Sequence, residues 1–168
     1  MILPLRYYPD PILRKEARQV EVFDDSIAQI IENMKESLIK YRGLGLAANQ
    51  VGVDLAIALI LLPEEERIIP AINPRVLTVS GREKLEEGCL SFPRLYLEIE
   101  RPKHIKFACL TPQGEEKVIE LDGIMARAAL HEIDHLNGVL IIDRISSTKR
   151  HLIKRELEEI AQKYGGRT

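Results

Sequence analysis

The apolar positions of this chain recur with two different periods. Ile27, Ile30, Ile31, Met34 and Leu38 return every three or four residues, the spacing that lines one face of an α-helix. Ser26 and Gln29 stand where a capping box would open it. The pattern predicts an amphipathic helix ending near Tyr41, with its stripe in the core. Strands are predicted at 56–62, 68–73, 76–80 and 96–100, with Pro70 and Pro74 near strand ends. From 104 to 111 apolar residues alternate, and Pro112-Gln113-Gly114 reads as a hairpin turn into a strand at 116–121. The run Ile124 to Leu130 contains neither Gly nor Pro and is rich in Ala, good helix-forming composition. Asp122 is its expected N-cap and Gly138 its expected stop. Ser146 or Ser147 opens a last helix to about Tyr164, with Leu152, Ile153, Glu156, Leu157 and Ile160 as a half-buried face. Residues 1–22 hold Pro4, Pro9 and Pro11 and read as irregular and surface-bound. Residues 165–168 read as a fraying tail.

Composition narrows the picture. The 168 residues fit one domain, 1–168, with one sizeable core. Hydrophobic residues are 45% and charged residues 30%, ordinary for a water-soluble chain. The formal net charge is −2, and no basic stripe supports direct nucleic-acid binding. The longest apolar run, 57–62, is far too short to span a bilayer. Met1 to Arg6 is neither a signal nor a transit peptide. A cytoplasmic protein with no membrane association is expected, and its two cysteines are then thiols rather than a disulfide.

The chemistry gathers in the helix at 124–137, which carries His131-Glu132-Ile133-Asp134-His135. Residues four apart on a helix stack on one face, so both imidazoles can reach one ion. Glu132 is rotated off the ligand positions but stays beside the metal, where it can move a proton. A third ligand is needed. His151 or Glu156 would supply it in a zincin-like metallopeptidase. The alternative is Cys89 in Glu87-Gly88-Cys89-Leu90-Ser91, a thiol at a loop or strand end. Cys109 sits mid-strand and belongs to the core. Gly43-Leu44-Gly45-Leu46-Ala47-Ala48-Asn49-Gln50 has the look of a dinucleotide fingerprint but follows a helix instead of a strand. Its glycines instead let the backbone approach a ligand closely. Leu44, Leu85, Ile124 and Ala128, all beside these motifs, are candidates for an apolar side-chain pocket.

Three stretches together, Gly43-x-Gly45-Leu46-Ala47-Ala48-x-Gln50, Glu87-Gly88-Cys89-Leu90-Ser91 and His131-Glu132-x-x-His135, resemble the three motifs of the peptide deformylases in order and spacing. The resemblance runs from Asp10-Pro11-x-Leu13-Arg14 to the C-terminal helix. That helix, with Pro93 after Ser91-Phe92, is similar to the bacterial type 1 branch. It implies an α+β fold: antiparallel β-sheets packed around a central metal-binding helix, with an N-terminal and a C-terminal helix. The implied activity removes the formyl group from the N-terminal formylmethionine of newly made polypeptides. The implied partners are nascent chains and the ribosome. By the same match Cys89, His131 and His135 would hold the metal and Glu132 would be the acid/base. The Gln50 amide and the Leu90 N–H would face the carbonyl oxygen. Fe(II) is the family's usual ion, and Zn(II), Ni(II) or Co(II) can replace it. One departure is Leu130, where the family commonly has Gln, so a hydrogen bond near the first His is expected to be missing.

Overall fold

The structure is a computed structural model and describes residues 1–165. Its framework is a five-stranded antiparallel sheet, flanked by a separate two-stranded hairpin. The strands are β1 (Gly45–Ala47), β2 (Ile57–Leu62), β3 (Arg67–Ser80), β4 (Glu83–Cys89), β5 (Phe92–Arg101), β6 (His104–Leu110) and β7 (Glu116–Asp122). The large sheet has the order β1-β2-β3-β6-β7, and the hairpin is β4-β5. The helices are α1 (Asp25–Tyr41), α2 (Gly123–Leu136), α3 (Ser147–Leu152) and α4 (Lys154–Tyr164). The expected α+β class and antiparallel sheets are both present.

α2 lies between the two sheets, and its sequence assigns a partner to each face. Ala126, Ala129, Leu130 and Ile133 pack with Ile60, Leu62, Ile105 and Phe107 of the large sheet. Arg127, His131 and Asp134, on a neighbouring stripe, bond to Glu87 and Arg101 of the hairpin. Both stripes follow the helical period. Leu130 is thus a core residue in an apolar cluster, which accounts for the absence of a polar side chain there. Cys109 is buried in the same cluster. α1 closes the other side of the core with Ile27, Ile31, Met34 and Leu38 against Leu46, Ile57 and Leu59.

Several elements differ from the sequence reading. α1 is capped by Asp24, whose carboxylate accepts from the Ser26 and Ile27 N–H groups. The Ser26 hydroxyl donates to the same carboxylate instead of capping. The strands expected at 68–73 and 76–80 are one strand, β3, which crosses Asn73-Pro74 by shifting register against β6. Asn73 takes φ 50°, and its side-chain amide bonds the Val20 backbone in both directions, so the bend is held from outside the sheet. The N-terminal segment is irregular as expected, apart from a short 3₁₀ turn at Pro11–Arg14. It is not confined to the surface, because Leu5, Leu13, Ala17 and Val20 are buried. Asp122 occupies the α2 N-cap position without a side-chain cap bond. Its carboxylate pairs with His104 instead. The last helix is interrupted at Ile153 and forms α3, capped by Ser146, and α4. Leu152 and Glu156 are exposed, leaving Leu157 and Ile160 to bury. The tail expected to fray at 165–168 falls, beyond Gly165, outside the described residues.

Candidate metal centre and active site

α2 presents His131 and His135 one turn apart, with ring centroids 4.9 Å apart. Cys89, at the end of β4, brings its sulfur to 3.2 Å from His135 Nε2. A register shift between Gly88 and Cys89 turns the strand end toward α2. Among the described residues these three form one group whose ligand atoms all lie within 4.8 Å of one another. His151 and Glu156 are exposed on α3 and α4 and take no part in it.

His131 is oriented by a chain of charged neighbours. His131 Nδ1 is 2.8 Å from Glu87 Oε1, which leaves Nε2 for the centre. Glu87 is in turn gripped by Arg101, whose Nε lies 2.9 Å from Oε2, and by Arg127. Arg101 continues to Asp134 at 2.9 Å, and Asp134 to Arg144 at 2.7 Å. Arg127 also donates to the Ile99 and Glu83 carbonyls. Burial would raise the Glu87 carboxyl, but His131 and Arg101 outweigh it and hold it at about 2. A carboxylate bonded to the far nitrogen of a liganding His fixes its tautomer and ring angle. Burial lowers the affinity of His131 for a proton, yet the neighbouring Cys89 sulfur and Glu87 overcome this and raise its pKa well above the ordinary value. His135 is held well below the ordinary value, chiefly by burial and then by His131. Its Nδ1 is buried without a hydrogen-bond partner among the described residues. One sulfur and two imidazoles converging this way fit a transition-metal ion.

Glu132 lines a cavity with Cys89 and His131 but is not one of the three. It is 4% exposed, and its Oε2 has no hydrogen-bond partner among the described residues. Burial pushes its carboxyl up to about 7. It packs on the backbone of Gly45: a Cβ there would stand 2.7 Å from Glu132 Cγ, so position 45 has no room for a side chain. Gln50 is oriented by β1. Its Oε1 accepts from the Ala47 N–H at 3.0 Å, which turns its Nε2 toward Ser91 Oγ and Cys89 Sγ. The glycine-rich stretch therefore forms β1 and the 3₁₀ turn Ala48–Val51, which carries Gln50.

These groups open into a cavity of about 530 Å³. Leu44, Gly45, Gln50, Leu90, Ile124 and Ala128 line it beside Cys89, His131 and Glu132, while Leu85 is not among its lining residues. Tyr7, Tyr96, Arg127 and Tyr164 also line it, and no motif had marked them. For Arg127 a signal existed: it is the one charge in the otherwise apolar run 124–130, four residues before His131. The tyrosines come from three separate segments that only folding brings together.

Known proteins resemble this chain along nearly its whole length. The polypeptide deformylase profile matches residues 2–151. A peptide deformylase of Thermotoga maritima is 45% identical over 159 residues, covering 94% of this chain and 96% of that protein. One of Helicobacter pylori is 38% identical over 96% of this chain and 97% of that protein. The crystal structure of peptide deformylase from Thermus thermophilus superposes with a TM-score of 0.90 at 36% identity, covering 97% of this chain and 99% of that one. With a thiol and two histidines gathered beside a buried glutamate, and with relatives matching over nearly its whole length, this chain belongs to the polypeptide deformylase family.

Proposed function

We propose that this protein hydrolyses the formyl group from the N-terminal formylmethionine of newly made polypeptides and releases formate. The observation that carries the reading is the Cys89–His131–His135 group, with the free oxygen of Glu132 buried beside it in a cavity. Cys89, His131 and His135 hold one ion, Fe(II) by the family resemblance, with Zn(II), Ni(II) or Co(II) able to replace it. When bound, the ion supplies the Lewis acidity that makes a nucleophile of water near neutral pH.

The residues of the chain do the rest. Glu132 takes the proton of the attacking water on its free oxygen and returns it to the departing amine nitrogen. A carboxyl held at about 7 suits both directions of transfer. Gln50 Nε2 and the Leu90 N–H donate to the formyl oxygen as it gains negative charge, a contact worth about 2.7–4 kcal/mol for a single donor. The methionine side chain packs against Leu44, Ile124 and Ala128, and the bare backbone of Gly45 leaves the approach to Glu132 open. Residues 1–168 act as one catalytic unit in the cytoplasm, on chains emerging from the ribosome. No described helix is long and apolar enough to cross a membrane.

Formate release from formyl-Met-Ala by Fe(II)- or Ni(II)-loaded protein tests the reading. Multiple turnovers are expected. Loaded protein that releases no formate, or releases amino acids from unformylated peptides instead, would replace it with a peptidase.

A further inference from the structure

The wall of the cavity built by Leu44, Ile124 and Ala128 accounts for one side chain, the methionine. A formylmethionyl group leaves much of 530 Å³ unfilled. A separate wall comes from the two end segments of the fold. Tyr7 is carried by a strip of backbone tied to both catalytic loops: the Arg6 N–H donates to the Gln50 carbonyl at 2.7 Å and the Tyr8 N–H to the Ser91 carbonyl at 3.0 Å. The Tyr7 ring lies 4.5 Å from the Tyr164 ring, centroid to centroid, at an interplanar angle of 30°. Tyr164 closes α4 and also has Lys163 Nζ 5.4 Å from its ring centroid. Both rings line the cavity, and Pro93 adds to the same apolar lining. The family profile ends at residue 151, before α4 begins at Lys154, so half of this aromatic wall comes from outside the matched stretch.

We propose that Tyr164, braced by Tyr7, is a specificity-determining residue that contacts the part of the substrate following formylmethionine and favours apolar side chains there. The inference rests on the deformylase reading above. Two rings in tilted contact offer a broad apolar face with little freedom to lose, which suits contact with varied apolar side chains. Neither ring belongs to the Cys89–His131–His135 group, so their assigned role is to select among peptides and not to move protons.

The test compares kcat/KM for formyl-Met-Leu-Phe and formyl-Met-Ala in the metal-loaded parent, Tyr164→Ala, Tyr164→Leu and Tyr164→Phe. In Tyr164→Ala the ratio of the two values should fall about tenfold, mainly through KM for the longer peptide. Tyr164→Leu should give a smaller fall, and Tyr164→Phe should restore the parent ratio. An unchanged ratio in both Ala and Leu variants overturns the proposal, whether or not overall activity drops. So does a common loss on both peptides that tracks a lower unfolding temperature, since that marks a structural brace alone. A parent that releases formate from neither peptide overturns the deformylase reading itself, and this proposal with it.

Discussion

The two faces of α2 solve opposite problems with the same helical period. Toward the large sheet, Ala126, Ala129, Leu130 and Ile133 remove apolar surface from water and bond to nothing. Toward the hairpin, Arg127, His131 and Asp134 are almost as deeply buried, but their burial depends on Glu87 and Arg101. Apolar contacts are non-directional, and the first face tolerates small shifts. The second is a chain of oriented charges in which each side chain fixes the angle of the next and ends at His131. A buried ion pair is weak evidence of stability, since an apolar replacement is often as stable. The hairpin face therefore makes sense as an aiming device for the metal centre, and the sheet face as the source of stability.

Four changes would break or sharpen that contrast. The largest effect should come from the group that belongs to neither face. Glu132→Gln keeps the shape and removes the base; one group serves both proton transfers, so activity should fall about 10⁴-fold, roughly 5 kcal/mol. Metal content and unfolding temperature should match the parent. A variant that loses its metal would make Glu132 part of the aiming device instead. Next, Glu87→Ala leaves Arg101 and Arg127 buried without their shared carboxylate, a loss of about 3–5 kcal/mol. It should also weaken metal binding about 10–100-fold, because His131 loses its anchor. Denaturant unfolding and metal titration measure the two losses separately, and intact affinity would deny the aiming role. On the apolar face, Ile133→Ala should cost about 2–4 kcal/mol in unfolding free energy. Its metal affinity should stay within about threefold, and a large drop there would merge the two faces into one.

The smallest effect lies outside α2 and calibrates the ionic contribution. Asp143 pairs with Arg14 and accepts from the Leu140 N–H; burial opposes ionisation, but these partners lower its pKa overall. Its contribution is present above the unfolded value of about 3.8 and is lost as pH falls through the lower folded value. Asp143→Asn should cost less than about 1 kcal/mol at neutral pH. That difference from the parent should shrink in unfolding curves as pH falls below about 3.8 toward the lower folded value, and a constant gap at all pH values would assign it to packing.

How much of this was readable beforehand follows the same division. α1 announces itself by apolar positions at helical spacing, β6 by partial alternation, β2 by an unbroken apolar run, and α2 by its apolar, Ala-rich first half. Of the candidate ligands, His131 and His135 were readable as a pair because residues four apart share a helix face, while Cys89 was one of several candidates until the family resemblance singled it out. β4, with the sequence Glu-Lys-Leu-Glu-Glu-Gly-Cys, was missed as a strand. Its deeply buried position is Glu87, so the alternation that marks a half-buried strand is written in charge and not in hydrophobicity. β3 hid its continuity behind Asn73-Pro74, and no Gly or Pro marks the break at Ile153. The aiming residues Arg101 and Asp134 were invisible for a further reason. A charge on a surface strand and a charge locked into a buried network look identical until the partner is placed opposite.

The close approach of Gly45 to Glu132 has a consequence for the temperature dependence of the reaction. A long acidic side chain in open solvent samples many rotamers, and ordering it costs about 1.5–2 kcal/mol in entropy at 25 °C. Here the β1 backbone lies against Glu132 Cγ, and the side chain is 4% exposed, so that ordering occurs when the chain folds. The carboxylate arrives at each turnover already confined. The entropy of activation should then carry little contribution from the proton carrier, and the barrier it helps to lower should be mostly enthalpic.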